Sequence, residues 1–191
     1  MAPKLILTGF MATGKSVVAR ALARRLRWPI VDIDSIIVAR AGKSIPEIFK
    51  EHGEAHFRAL EREVTAEIAR DPRRCPQCGE PRPAVISTGG GVLADPRNHA
   101  ALARAGVIVC LNARPEVIAR RIGTAATERP MLVRGGKPLD ERIAELIEER
   151  REAYARAAVT VDTSDLTVEE VVNAILARVA AYRSKAWAAS A

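Results

Sequence analysis

Short apolar runs rich in β-branched residues recur along the chain at Leu5–Thr8, Pro29–Ile33, Ala84–Ser87, Val107–Leu111 and Val159–Val161. Their largely continuous apolar character is how strands buried on both faces of a sheet read. Helical patterns fill the intervals. The first spans about Lys15 to Arg27, with Arg24, Arg25 and Arg27 near its negative dipole end. Ser44-Ile45-Pro46-Glu47 reads as an N-cap followed by Pro in the first turn, opening a helix through Phe49. A longer helix is predicted over Glu54–Ala69 and another over Glu141–Ala157. The last runs from Thr167, an N-cap with Glu169 and Glu170 in the first turn, to about Arg183, leaving Ser184–Ala191 as a frayed tail. Strands alternating with helices predict an α/β domain built on a parallel sheet with helices on both faces. Two segments break the pattern. Asp71–Pro83 is rich in Pro, Arg and Cys, and Gly123–Pro138, with Pro130, Gly135 and Gly136 inside it, reads as a mobile lid.

The 191 residues suit one domain with a core of its own. Hydrophobic residues make up 48% but aromatics only 4%, so that core must come from Ala, Val, Ile and Leu. No apolar run approaches the ~20 residues that span a bilayer, which predicts no membrane partner. Met1-Ala2-Pro3-Lys4 leads straight into the first strand and leaves no room for a signal peptide, so a cytoplasmic protein is expected. A net charge of +7 raises nucleic acid as a partner. The Arg residues are scattered over helices, however, and two Tyr, three Phe and two Trp offer little for stacking on bases. A site for ATP and an anionic substrate accounts better for the charge, and nucleic acid is not the expected partner.

Gly9-Phe10-Met11-Ala12-Thr13-Gly14-Lys15-Ser16 fits the phosphate-loop pattern G-x-x-x-x-G-K-[ST], with a strand before it and a helix after it. Backbone N–H groups of such a loop converge on phosphate, and the following helix adds its positive end. The expected ATP contacts are therefore Ala12, Thr13, Gly14, Lys15, Ser16 and Val17, with Lys15 reaching the β- and γ-phosphates and the Ser16 hydroxyl ligating Mg²⁺.

Val31-Asp32-Ile33-Asp34 ends the second predicted strand, at the sheet edge where ligands bind in open α/β folds. Strand alternation would put both carboxylates on one side, one for the Mg²⁺ water shell and one to accept a proton from an attacking hydroxyl. A plain helix cap is the alternative for Asp34. Arg58 and Glu61 are three apart on a helix: either a surface ion pair, which spacing alone favours, or an Arg held as a fork for a substrate carboxylate. Ser87-Thr88 leads into Gly89-Gly90-Gly91 after the third strand, and three glycines there imply close approach of a ligand to the backbone.

Taken together, these residues resemble the shikimate kinase family from Leu5 to about Leu176. The matching pieces are the phosphate loop, Asp32-Ile33-Asp34, Gly42-Lys43-Ser44-Ile45-Pro46-Glu47-Ile48-Phe49, Gly53-Glu54…Phe57-Arg58…Glu61, Ser87-Thr88-Gly89-Gly90-Gly91, Arg129-Pro130-Met131-Leu132 and Arg150…Tyr154. The resemblance implies a three-layer P-loop NTPase-like fold with a five-stranded parallel sheet, a lid and substrate-binding helices over about 33–62. It implies transfer of the ATP γ-phosphate to the 3-hydroxyl of shikimate. Asp34, Arg58, Gly90 and Arg150 would meet shikimate, Arg129 would reach from the lid to ATP, and Ser16 with Asp32 would serve Mg²⁺. Lys15, Asp34 and Arg129 are then the expected catalytic residues, in an enzyme expected to be a monomer with a dimer as the alternative. Two departures stand out. Arg151 beside Arg150 makes either a candidate for the substrate, although the spacing to Tyr154 favours Arg150. Asp165-Leu166-Thr167 stands where relatives often present Arg or Gln to adenine.

Cys75-Pro76-Gln77-Cys78-Gly79 has the shape of one zinc-ribbon knuckle, but tetrahedral zinc takes four ligands. An inert reduced loop is the leading reading, with zinc at Cys75 and Cys78 or a redox-responsive pair as alternatives. Cys110 reads as a buried small hydrophobe. His52 and His56 are four apart, with Gly53 expected to break the helix between them, and His99 has no partner by spacing.

Overall fold

Strands that are apolar on both sides need cover on both sides, and the computed structural model, which describes residues 4–70, 83–123, 132 and 138–188, meets that need. The five strands are β1 Lys4–Gly9, β2 Ile30–Asp32, β3 Val85–Ser87, β4 Gly106–Asn112 and β5 Val159–Asp162. All pairings are parallel, in the order β2-β3-β1-β4-β5. The helices are α1 Lys15–Leu26, α2 Ile33–Ala41, α3 Ile45–Arg70, α4 Pro96–Ala105, α5 Pro115–Ile122, α6 Leu139–Glu148, α7 Arg151–Ala155 and α8 Val168–Ala188. Leu5 and Leu7 pack on one face with Val18 and Leu22 of α1 and Val171 and Ile175 of α8. Ile6, between them in sequence, packs on the other face with Ile37 of α2, Val64 and Ile68 of α3 and Leu102 of α4. The core is aliphatic as composition predicts, apart from the buried rings of Phe10, Phe57 and Tyr154.

Local signals explain most helix starts. Ser44 N donates to Glu47 Oε2 at 2.7 Å while Glu47 N reaches Ser44 Oγ at 3.4 Å, a capping box ahead of α3. Thr167 and Glu170 repeat that exchange at α8. Gly53 bends α3 with φ 77 and ψ 173, where a helix break is expected from sequence.

Three expectations are corrected. β2 ends at Asp32, whose carboxylate accepts from Ser35 N at 2.9 Å and caps α2. Asp34 therefore sits in the first helical turn, and strand alternation does not relate the two carboxylates; the capping role falls to Asp32. The single helix expected over Glu141–Ala157 is divided between α6 and α7. No Gly or Pro marks that break; it leaves Arg150, with φ −106 and ψ 3, lying over the Phe10 ring. The expected frayed tail is helical through Ala188, because Ser184-Lys185-Ala186-Trp187-Ala188 carries no stop signal and Ser184 Oγ bonds Ala180 O at 3.1 Å.

β1 delivers the phosphate loop through Gly9, where β4 passes so closely that a Cβ would lie 2.1 Å from Leu111 O, at a φ of 133°. Only glycine fits both constraints. Gly9→Ala is expected to lower folding stability by about 3 kcal/mol, read as a lower denaturant midpoint. A midpoint within about 0.5 kcal/mol of the parent would show that β4 can move aside.

Candidate active site

The C-terminal edge of the sheet opens into a cleft of about 460 Å³. Among the residues expected from sequence, Ala12, Lys15, Ser16, Asp32, Asp34, Arg58, Gly90 and Arg150 line it. Thr13, Gly14 and Val17 do not. Thr13 is buried with its hydroxyl donated to Phe10 O at 2.7 Å, Gly14 caps α1, and Val17 is exposed. Arg129, Cys75 and Cys78 lie outside the described residues, as does nearly all of the expected lid.

At one end, the Lys15 ammonium donates to Phe10 O at 2.7 Å, within the curl of the phosphate loop. The loop is braced from the end of β5, at the same edge of the sheet. Arg121 of α5 donates to Thr163 Oγ1 at 3.0 Å and to Thr163 O at 2.6 Å, and the Thr163 hydroxyl meets Thr13 O at 3.1 Å. Sequence reasoning missed this brace, since residues so far apart along the chain leave no local signal.

Asp34 sits at the centre. Its Oδ1 is buried and meets no hydrogen-bond donor among the described residues. Burial pushes its carboxyl up to about 6, helped by the negative charges of Asp32 and Glu61 and opposed by Lys15 and Arg58. A carboxylate of that affinity next to a phosphate loop suits proton acceptance near neutral pH.

The other end is cationic. Arg58 donates through Nη1 to Glu61 Oε2 at 2.8 Å and through Nη2 to Glu54 Oε1 at 3.1 Å, and its guanidinium lies over the Phe57 ring. Glu61 is 1% exposed, so the pair is no surface ion pair: a buried carboxylate fixes the fork. Burial raises the Glu61 carboxyl despite Arg58 and Arg150. Arg150 stands over Phe10 at 5.5 Å and lines the cleft, while Arg151 turns to solvent and pairs with Glu148 at 2.8 Å.

The glycine run threads between these charges. A Cβ on Gly89 would sit 2.9 Å from Asp34 Oδ1, and one on Gly91 would sit 2.6 Å from Arg58 Nη1. Tyr154 Oη donates to Gly90 O at 2.8 Å and holds the run in place. Burial pushes that phenol up to about 12, so it stays a donor. Met11, Ile45, Phe49 and Phe57 supply an apolar wall that charge-based reading of the sequence does not assign a role. Asp165, in the segment that offers neither Arg nor Gln for adenine, is engaged by Arg114 at 2.7 and 2.8 Å.

No helix among the described residues is long and apolar enough to cross a membrane. No cluster of three or more His, Cys, Asp or Glu suited to a metal ion occurs among them either.

The shikimate kinase family profile matches residues 11–180. A shikimate kinase from Geobacter metallireducens is 45% identical over 170 residues, covering 88% of this chain and 87% of the relative. A shikimate kinase from Caldanaerobacter subterraneus subsp. tengcongensis is 40% identical over 172 residues, covering 90% of this chain and 93% of the relative. The solved structure of a shikimate kinase from Acinetobacter baumannii in complex with shikimate superposes with a TM-score of 0.79 at 28% identity, covering 92% of each chain. The chain belongs to the shikimate kinase family.

Proposed function

We propose that this ATP-dependent kinase transfers the γ-phosphate of ATP to the 3-hydroxyl of shikimate, giving shikimate 3-phosphate and ADP, in the cytoplasm. The observation that carries this reading is the position of Asp34. Its partnerless buried oxygen lies in one cleft with the Lys15 ammonium and with the Arg58 and Arg150 cations. Shikimate carries a carboxylate, which suits the two cations, and vicinal hydroxyls, which suit Asp34 and the Gly90 backbone. Asp34 accepts the proton of the attacking hydroxyl, while Lys15 neutralises charge on the transferring phosphoryl group. Arg58, locked by Glu61 and Glu54, orients the acceptor so that the hydroxyl approaches in line. Arg129 keeps its proposed role at ATP through resemblance alone.

Magnesium fits this donor set. Ser16 and Asp32 offer a hydroxyl and a carboxylate on the cleft wall, hard oxygen ligands of the kind that hold Mg²⁺ with its waters. The ion, when bound with ATP, supplies charge neutralisation at the phosphates.

The direct test is ADP release with shikimate, gluconate, a nucleoside monophosphate or no acceptor. A large stimulation by shikimate alone is expected, and equal rates with and without it would end the proposal. Arg58→Lys keeps the charge but loses the two-pronged fork. It is expected to raise the KM for shikimate about 10- to 100-fold with a smaller change in kcat. An unchanged KM would move carboxylate recognition to Arg150.

A further inference from the structure

His52 and His56 lie on either side of Gly53, where α3 bends, and both are exposed. A broken helix would be expected to separate side chains four residues apart. The bend does the reverse: the imidazole centroids are 4.8 Å apart, with the rings tilted by 48°. The same bend brings Phe49 to within 4.9 Å of Phe57, centroid to centroid, and those two rings line the acceptor end of the cleft. One backbone hinge therefore carries an imidazole pair outside and an aromatic wall inside.

Neutral imidazoles are preferred ligands of zinc, nickel and copper. A zinc–nitrogen bond is about 2.0–2.1 Å, and the ring centre lies about 1 Å further on, along the same line. An ion shared by rings 4.8 Å apart then sees an N–metal–N angle of about 100°, between the octahedral and tetrahedral values. Glu51 Oε2 stands 3.8 Å from His52 Nε2 and adds a negative charge beside the pair, and Lys43 is its other partner.

We propose that His52 and His56 form a binding site for one transition-metal ion of the zinc, nickel and copper group, and that the ion pins the Gly53 bend and the cleft wall at Phe49 and Phe57. Water completes the coordination. Magnesium, which takes oxygen ligands, does not compete for the pair. An ion tying His52 to His56 restrains the Gly53 bend that also carries Phe49 and Phe57, so adjusting that wall to an acceptor costs more and occupancy weakens acceptor binding.

The test uses full-length chain carrying Cys75→Ser and Cys78→Ser, so that those thiols are not involved. Zinc and nickel are titrated by calorimetry at about pH 7.5. One ion per chain is expected, bound at least about tenfold more weakly by the His52→Ala and His56→Ala variants and unchanged in His99→Ala. Equal affinity in the parent and the His56→Ala variant would overturn the site. Thermal melts confirm that each variant folds. In steady-state assays with excess Mg²⁺, zinc is expected to raise the KM for shikimate at least about threefold in the parent and not in the histidine variants. A zinc-independent KM in the parent overturns the link to the cleft. The calorimetric result stands whatever the acceptor, so failure of the metal site and failure of the kinase reading are separable.

Discussion

Asp34→Asn is expected to cut kcat about 10³-fold while ATP binds nearly as in the parent, because loss of a positioned proton acceptor costs on the order of 10²–10⁴. Asparagine keeps the size of the side chain and its place in the first turn of α2, but it cannot take the hydroxyl proton. ADP release gives the rate, and calorimetric titration with an ATP analogue gives the binding. Loss of nucleotide binding in the variant would show that Asp34 supports the phosphate loop rather than the acceptor.

The same carboxyl sets a pH dependence. A proton acceptor works only when ionised, and the Asp34 carboxyl is raised to about 6, so in the proposed role kcat/KM for shikimate is expected to fall about tenfold per pH unit below about 6. Stability moves the opposite way. An acid held at about 6 in the folded chain and at its ordinary 3.8 in the unfolded one favours folding below the lower value. That contribution is lost as pH rises through 6, since the folded state must then ionise a buried group. The loss is on the order of 1–2 kcal/mol once screening by water in the cleft is allowed for. Asp34→Asn removes that penalty. The variant should therefore melt about 2–6 °C higher than the parent at neutral pH and show no such gain near pH 4. A variant that is less stable at both pH values would mean that Asp34 holds the fold together instead of straining it.

The phosphate loop and the parallel sheet were legible because their signals are local. Glycine spacing, a strand before and a helix after are all contained within a few residues, and the apolar runs report two-sided burial directly. The state of Glu61 was not legible. Spacing places Arg58 and Glu61 on one helix face but does not say that the face is covered, and the expected surface pair is in fact a buried anchor. Arg150 shows the same limit. A run of helix formers reads as unbroken helix, and the turn at Glu149 and Arg150 between α6 and α7 is accompanied by contacts of Arg150 with Phe10 and the glycine run, which are distant in sequence. Asp32 and Asp34 depart from strand alternation because the Asp32 carboxylate accepts from Ser35 N and starts α2 at Ile33, a residue before alternation could reach Asp34.

Lys15→Met should lower kcat by about 10³-fold and weaken ATP binding about tenfold, as expected for losing a charge aimed at a transferring phosphoryl group. The fold should survive the change. Lys15 donates to Phe10 O, but the Thr13 hydroxyl donates to the same carbonyl at 2.7 Å and keeps it satisfied when Lys15 is gone. A melting temperature within a few degrees of the parent is therefore expected, and a collapse would show that the lysine is structural. The sharper consequence lies at Asp34. The Lys15 charge is one of the two influences that hold the Asp34 carboxyl down against burial, Asp32 and Glu61. Removing it should move the acid limb of kcat/KM above about 6, so that activity rises further with pH in the variant than in the parent. Loss of phosphate binding alone would scale the whole profile without moving it. A displaced limb thus ties the phosphate end of the cleft to the proton acceptor, and an undisplaced one separates them.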